Sequence, residues 1–245
     1  MNRSRGTKPH KQLRAGKIKA KLLSSYYGNP IKDMKLICIT GTTGKCIVAH
    51  FVHEILRAAG EQVACLASEE DLRISTLHKF FSDAWKAGAN YVVVTAPADS
   101  LRKDVFYGLP VHVAAMTNYI PSTLGAPTAE EYEADENTLF DMQPAIVVLN
   151  QDDAHYDIFS KFAGTTATVT YGSHSASAVK IESSKLYKKG AEARLDLSGT
   201  KITTATFLSG EPNISYMACA AAIASSLKID TDVIIDGIGN YLPEE

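Results

Sequence analysis

The sequence predicts an α/β fold of three layers: a mostly parallel sheet between helices, with a phosphate-loop-like turn after the first strand and a small antiparallel β insert. Three observations predict it. Short β-branched runs alternate with amphipathic segments of helical length from residue 35 to residue 171, the pattern of parallel strands joined by right-handed helical crossovers. The first run, Leu36-Ile37-Cys38-Ile39-Thr40, stops at a turn holding Gly41 and Gly44, and a helical pattern opens at Lys45. From Ala178 to Leu208 the apolar period shortens to two around glycine-containing turns, which reads as hairpins.

Residues 1–34 read as a basic N-terminal extension and 35–245 as one globular domain. Residues 1–12 are polar and basic and read as a disordered arm. Leu13, Ile18, Leu22, Leu23 and Tyr26, with lysines between them, predict a short amphipathic helix stopped by Gly28-Asn29-Pro30. Two uses fit it: a helix docked on the body that solvates its lysines, or a surface for a polyanion or a membrane. Lys35–Thr40 predicts the first strand, and Lys45–Ala59 a helix stopped by Gly60. Gln62–Ala67 is a strand and Thr76–Ala87 a helix that ends at Gly88. Tyr91–Thr95 is a continuous β-branched run, as a strand buried on both faces requires. Val111–Met116 is another strand, followed by a helix from Thr128 to Phe140 behind Pro127. Strands at Ala145–Leu149 and Thr166–Tyr171 precede the hairpins, which turn at Lys188-Lys189-Gly190 and Ser198-Gly199. An alanine-rich helix, Asn213–Leu227, and a last helix, Thr231–Tyr241, close the chain. No internal repeat is visible.

Composition bounds the function. The chain has 245 residues, 45% hydrophobic and 21% charged, as soluble domains do. No apolar run approaches the ~20 residues of a membrane-spanning helix, and the basic N-terminus lacks the apolar segment of a secretory signal. Four scattered cysteines without a C-x-x-C pair fit reduced thiols and a cytoplasmic protein. The net charge of −2 conceals an asymmetry: residues 1–35 hold ten Lys/Arg against one acidic residue, and the rest holds 15 against 26. The chain is a basic extension on an acidic body. Nucleic-acid binding by that extension is the weaker reading of it.

The loop carries the chemistry. Backbone N–H groups in a glycine turn at a helix N-terminus bind anions, and a lysine there adds charge for terminal phosphates. Gly41, Thr42, Thr43, Gly44 and Lys45 meet that description. The strict Walker pattern wants a glycine five residues before Gly44, where Ile39 stands, so a tight strand-to-helix turn with an exposed lysine is the alternative. Where such loops place a magnesium-binding hydroxyl stands Cys46. Cys46, His50 and His53 share one helix face and raise a metal site or an activated thiol, but nothing supplies a further ligand or an orienting acid. Asp152-Asp153 reads as a helix N-cap rather than a site. Asp99, near the end of a parallel strand, lies where α/β folds place ligands.

Thr40-Gly41-Thr42-Thr43-Gly44-Lys45 resembles the TGTNGK(T/S) loop of the Mur ligases, nearest the MurE type. Further pieces follow in order over residues 35–242. Tyr91–Thr95 with Asp99-Ser100-Leu101 resembles the family's third strand and its E-V-S-S-H-A-L segment. Val111-His112-Val113-Ala114-Ala115-Met116-Thr117-Asn118 resembles F-D-V-A-V-F-T-N. Val147-Val148-Leu149-Asn150-Gln151-Asp152-Asp153 resembles V-V-N-A-D-D, and Gly210-Glu211-Pro212-Asn213 the G-x-F-N segment. The resemblance implies the central ATP-binding domain of enzymes that join amino acids to UDP-N-acetylmuramoyl peptides through an acyl phosphate. It implies ATP as cofactor, with Gly41, Thr42, Thr43, Gly44, Lys45 and Cys46 at the phosphates and Asn118 and Asn213 near the site. It also implies an N-terminal UDP-sugar domain and a C-terminal closing domain, neither of which is expected within these 245 residues. UDP-muramoyl peptide or a protein supplying those parts is the expected partner.

The departures point the other way. The family's magnesium-binding Thr/Ser falls on Cys46 and its glutamate on Thr95. Its serine pair falls on Pro97 and Ala98, and its D-H pair on Ser122-Thr123. Glu211-Pro212 stand for an arginine–phenylalanine, and Tyr216 for a second asparagine. Magnesium wants hard oxygen ligands, so these changes put the ion in doubt and predict a nucleotide-binding relative that is inactive as a ligase on its own. A non-catalytic scaffold acting through its basic arm is the alternative. Lys180 aligns with the lysine that MurE-type enzymes carbamylate; a surface strand lysine is the alternative there. No catalytic residue beyond it and no metal ligand is assigned.

Overall fold

The computed structural model of the chain describes residues 10–68, 70, 72–120, 129–164 and 166–242. The expectations for Ser122-Thr123, for Pro127-Thr128 and for residues 1–9 fall outside these residues, whereas residues 10–12, expected in a disordered arm, open a helix. The strands are β1 (Lys35–Thr40), β2 (Val63–Leu66), β3 (Tyr91–Thr95), β4 (Val111–Met116), β5 (Ile146–Asn150), β6 (Ala167–Gly172), β7 (Val179–Tyr187), β8 (Gly190–Leu197) and β9 (Thr200–Thr206). The helices are α1 (His10–Tyr26), α2 (Lys45–Ala58), α3 (Ile74–Lys86), α4 (Ala98–Arg102), α5 (Ala129–Phe140), α6 (Tyr156–Ala163), α7 (Pro212–Ser226) and α8 (Thr231–Asn240).

All strands join one sheet in the order β2-β3-β1-β4-β5-β6-β7-β8-β9. Pairing is parallel as far as β7 and antiparallel from β7 to β9. The antiparallel hairpins are therefore an extension of the main sheet. They are joined to it by a short parallel pairing of Tyr171 with Val179 and Gly172 with Lys180.

The apolar pattern explains the layers. In β1, Ile37 and Ile39 face the core closed by α2, α7 and α8, whereas Leu36 and Cys38 face the one closed by α3 to α6. Burial on both faces is why this strand reads as an unbroken apolar run. Gly60 and Gly88 stop α2 and α3, each at φ +81°, the left-handed geometry that favours glycine at helix ends. Helix α1 docks through Ala20, which is buried, and Leu23, with the Lys17 ammonium 4.7 Å above the Tyr107 ring.

Three short elements lie beyond the sequence expectation: α4, α6 and a 3-10 turn at Pro30–Asp33. The aspartate pair is a correction. Residue His155, not an aspartate, occupies the N-cap of α6. Asp152 instead accepts the N–H groups of Ser173 (2.6 Å) and His174 (3.2 Å), and Asp153 those of Tyr119 (2.6 Å) and His155 (2.8 Å). The two carboxylates tie loops together, since those donors reach them first.

After β1 the chain crosses to α2 on one face, and after β4 it crosses to α5 on the other. The two loops diverge at the carboxyl ends of adjacent strands, the position where open α/β sheets form a crevice.

Candidate functional site

Two loops meet at that crevice. In the first, Gly41 and Gly44 hold φ of +123° and +79°. A Cβ on Gly41 would lie 2.3 Å from Thr117 Oγ1, and one on Gly44 2.2 Å from the Tyr216 ring. Glycine is required at both for space as well as for conformation.

The second loop, Thr117 to Ile120, grips the first. The Thr42 N–H donates to the Asn118 carbonyl (2.8 Å) and the Thr43 N–H to Asn118 Oδ1 (3.0 Å). Asn118 Nδ2 donates back to Thr43 Oγ1 (3.0 Å), and the Thr117 hydroxyl donates to the Thr43 carbonyl (2.7 Å). The Ile120 N–H reaches Thr42 Oγ1 at 2.9 Å. From α7, the Tyr216 hydroxyl lies 2.9 Å from Thr43 Oγ1. Thr43 and Tyr216 both stand where the resembled motifs have asparagine, and here the two hydroxyls bond each other.

Lys45, the first residue of α2, is 5% exposed and donates from Nζ to the carbonyls of Gly41 (3.0 Å) and Thr42 (3.2 Å). It is folded over the loop, and the reading of an exposed turn lysine does not hold. At the end of β1, the Thr40 hydroxyl lies within hydrogen-bond distance of both the Ala96 carbonyl (2.8 Å) and Glu136 Oε2, and its single proton serves one of them. Glu136 is fully buried. Sequence reasoning missed it because α5 is rich in acidic residues and reads as a solvated face.

Of the positions where the resembled family holds metal, Thr95 has another use. Thr95 is fully buried; its hydroxyl donates to the Ser68 carbonyl (2.7 Å) and accepts the Ser68 N–H (2.8 Å), joining the ends of β2 and β3. Asp99 pairs with Arg102 (2.8 Å) at the surface. Cys46 sits half-buried in the first turn of α2. The Cys46, His50, His53 constellation dissolves: His50 stacks on Tyr241 at 5.2 Å, and His53 Nδ1 lies 3.0 Å from Glu54 Oε1. Among the described residues, no group of three His, Cys, Asp or Glu side chains is placed to hold a metal ion. Burial pushes the Cys65 and Cys219 thiols up to about 12 and the Cys38 thiol higher still, so these three are inert at neutral pH.

Asn213 lies at the start of α7, buried. Its amide donates to the carbonyls of Ser209 (2.9 Å) and Gly210 (3.3 Å), while its Oδ1 has no partner among the described residues. Lys180 is half-buried near the start of β7, across from Gly172 on one side and Asp196 on the other. No close contact joins it to the loop among the described hydrogen bonds and ion pairs.

The fold and this crevice define a class: a parallel α/β domain with a phosphate-loop-type turn at its topological switch point. The model of the Mur ligase middle domain matches residues 39–224, and the chain belongs to that family. A UDP-N-acetylmuramoyl-L-alanyl-D-glutamate--2,6-diaminopimelate ligase of Clostridium tetani is 31% identical over 209 residues, 78% of this chain and 42% of the ligase. The ligase of that name from Bacillus licheniformis is 29% identical over 241 residues, 89% of this chain and 49% of its own length. The chain thus spans about half the length of the curated relatives it matches. A solved structure of a diaminopimelate ligase of the same name superposes with a TM-score of 0.84 at 20% identity, covering 98% of this chain and 52% of that one. Folylpolyglutamate synthase of Mycobacterium tuberculosis, solved with ADP, gives 0.75 at 13% identity over 92% of this chain and 62% of its own.

Proposed function

We propose that this chain is the nucleotide-holding core of a Mur-type ligase and does not ligate on its own. Gly41, Thr42, Thr43, Gly44 and Lys45 take the phosphates of ATP or ADP, with Asn118 bracing the loop and Asn213 supplying a spare acceptor at its margin. One observation carries the reading: the glycine turn keeps its shape and its buried lysine, while Thr95 is engaged by the Ser68 backbone and Cys46 carries a thiol where the resembled family has a hydroxyl.

A polyphosphate fits the cradle. Thr117 and Tyr216 fill the space a Cβ would need at Gly41 and Gly44, and Asn118 engages the Thr42 and Thr43 N–H groups, so the phosphates would be held by Lys45 and the first turn of α2 rather than by the whole loop. The Lys45 ammonium rests on neutral carbonyls, and a charged phosphate oxygen is a stronger acceptor than either. Magnesium does not fit equally well. Cys46 offers a soft thiol, and the Thr95 hydroxyl is engaged by the Ser68 backbone in both directions. Phosphoryl transfer relies on positioning and charge neutralisation, so no chemical step is assigned to this chain alone.

The UDP-muramoyl peptide and amino-acid substrates of the relatives belong to this reading only as ligands of a completed ligase. The rest of that ligase would come from further sequence or from a second protein. Lys180 would act there, if anywhere, as a lysine brought to the crevice rather than one already in it. Four cysteines with no disulfide between them suit a cytoplasmic setting.

Titration calorimetry with ATP and ADP, with and without magnesium, tests the reading against Lys45→Ala. Binding that depends little on magnesium and weakens by about tenfold or more in Lys45→Ala is expected. Absence of heat in both proteins, or equal affinity in both, refutes nucleotide binding. Ligation by this chain alone that Lys45→Ala abolishes refutes the non-catalytic half.

A further inference from the structure

Helix α1 has two apolar sides, and the fold uses one. Its inner side is covered: Ala20 is 1% exposed and Leu23 packs with it against the core. Its outer side carries Ile18, Leu22 and Tyr26, which are 59%, 66% and 81% exposed. Their spacing of four stacks them on one face of the helix. At 100° per residue, Lys19 and Lys21 fall on opposite flanks of this stripe, and both are exposed. A helix that merely docks and solvates its lysines has no use for an apolar stripe turned to water.

We propose that this outer face docks on an anionic lipid surface, so that the chain lies on a membrane without spanning it. Charge complementarity selects the occupant. Residues 1–35 hold ten Lys/Arg against one acidic residue, whereas the remainder holds 15 against 26. An anionic surface is attracted to the basic N-terminal segment and, on net charge, disfavours the acidic body, which orients the chain with α1 toward it. A lipid interface presents anionic head groups and apolar chains in one plane. That is the combination required by lysines flanking Ile18 and Leu22, with Tyr26 suited to the boundary between them. A nucleic acid would satisfy the lysines and leave the apolar stripe wet. No helix among the described residues is long and apolar enough to cross a membrane, which suits surface docking.

Flotation of the whole chain with vesicles of phosphatidylcholine, alone or mixed with phosphatidylglycerol, tests this directly. Binding is expected to the anionic vesicles only and to weaken as salt rises. The triple change Ile18→Ser, Leu22→Ser, Tyr26→Ser should lower partitioning about tenfold or more without lowering the melting temperature, because all three side chains are exposed. Lys19→Glu with Lys21→Glu, which leaves the stripe intact, should lower it comparably. Equal binding to neutral vesicles, or wild-type binding by either variant, overturns the proposal. So does a dimer in light scattering that the triple variant breaks, without vesicle binding, which gives the face to a second copy. Oligonucleotide binding indifferent to the triple change, again without vesicle binding, overturns it as well.

Discussion

At Gly44 the backbone and an aromatic ring together exclude a side chain, and this separates two costs that glycine substitutions usually mix. Gly44 and Gly60 have nearly equal φ, +79° and +81°. A Cβ on Gly44 would meet the Tyr216 ring at 2.2 Å, whereas one on Gly60 would meet nothing within 4 Å. Gly60→Ala should therefore cost only the left-handed penalty, about 1 kcal/mol. Gly44→Ala adds the displacement of a buried ring and should cost about 2–4 kcal/mol. Urea denaturation of the two variants reads the difference, and equal losses would mean that Tyr216 yields freely. The glycines and lysine of this loop were visible in the sequence because their meaning is local. Glu136 and the bond from Thr117 were not, because they rest on partners 96 and 74 residues away, Thr40 and Thr43. Thr95 was noticed only as a missing glutamate; its positive role, holding Ser68, needs the pairing of β2 with β3.

At the scale of elements, strands buried on both faces were legible to the residue. β1, β3 and β4 lie where short, largely apolar runs place them, because such runs have few other folds open to them. Helices α4 and α6 and the turn at Pro30–Asp33 escaped, since one or two turns show no helical period. The packing of α2 on α8 offers a sharper test than the boundaries. A Cβ on Gly237 would sit 2.3 Å from the Cα of Ile55, while one on Gly239 would meet only a carbonyl at 3.9 Å. Both glycines lie in α8, where alanine gains about 1 kcal/mol of helix propensity. At Gly239 that gain should survive, leaving stability unchanged or slightly higher. At Gly237 overpacking against backbone that cannot swing aside should outweigh it and destabilise by about 1–3 kcal/mol net. Thermal melts of Gly237→Ala and Gly239→Ala should move in opposite directions, and parallel shifts would show that α8 slides without cost.

For the molecule as a whole, the strand order brings Gly41–Lys45 and Thr117–Ile120 to one crevice and leaves a second layer, α3 to α6, to close the opposite core. That layer contains a titration switch on stability. His78 in α3 is 2% exposed and packs edge-on to Phe81 at 6.1 Å; its Nε2 has no partner among the described residues. Burial holds its imidazole below the ordinary 6.5. The sign follows from where the protons go: as pH falls through 6.5 the unfolded chain protonates this histidine while the folded chain keeps it neutral. The stability present above pH 6.5 is therefore lost as pH falls, at up to about 1.4 kcal/mol per pH unit, until the folded group also takes its proton. His112, held low by burial and by Lys35, adds a slope of the same sign. Denaturation between pH 7.5 and pH 5.5, a range of about two units around the histidine value, samples the effect, and the comparison with a variant that lacks the histidine assigns it. His78→Phe should flatten that limb in part whatever it does to the absolute stability, leaving the His112 share. An undiminished slope in His78→Phe would place the acid sensitivity elsewhere.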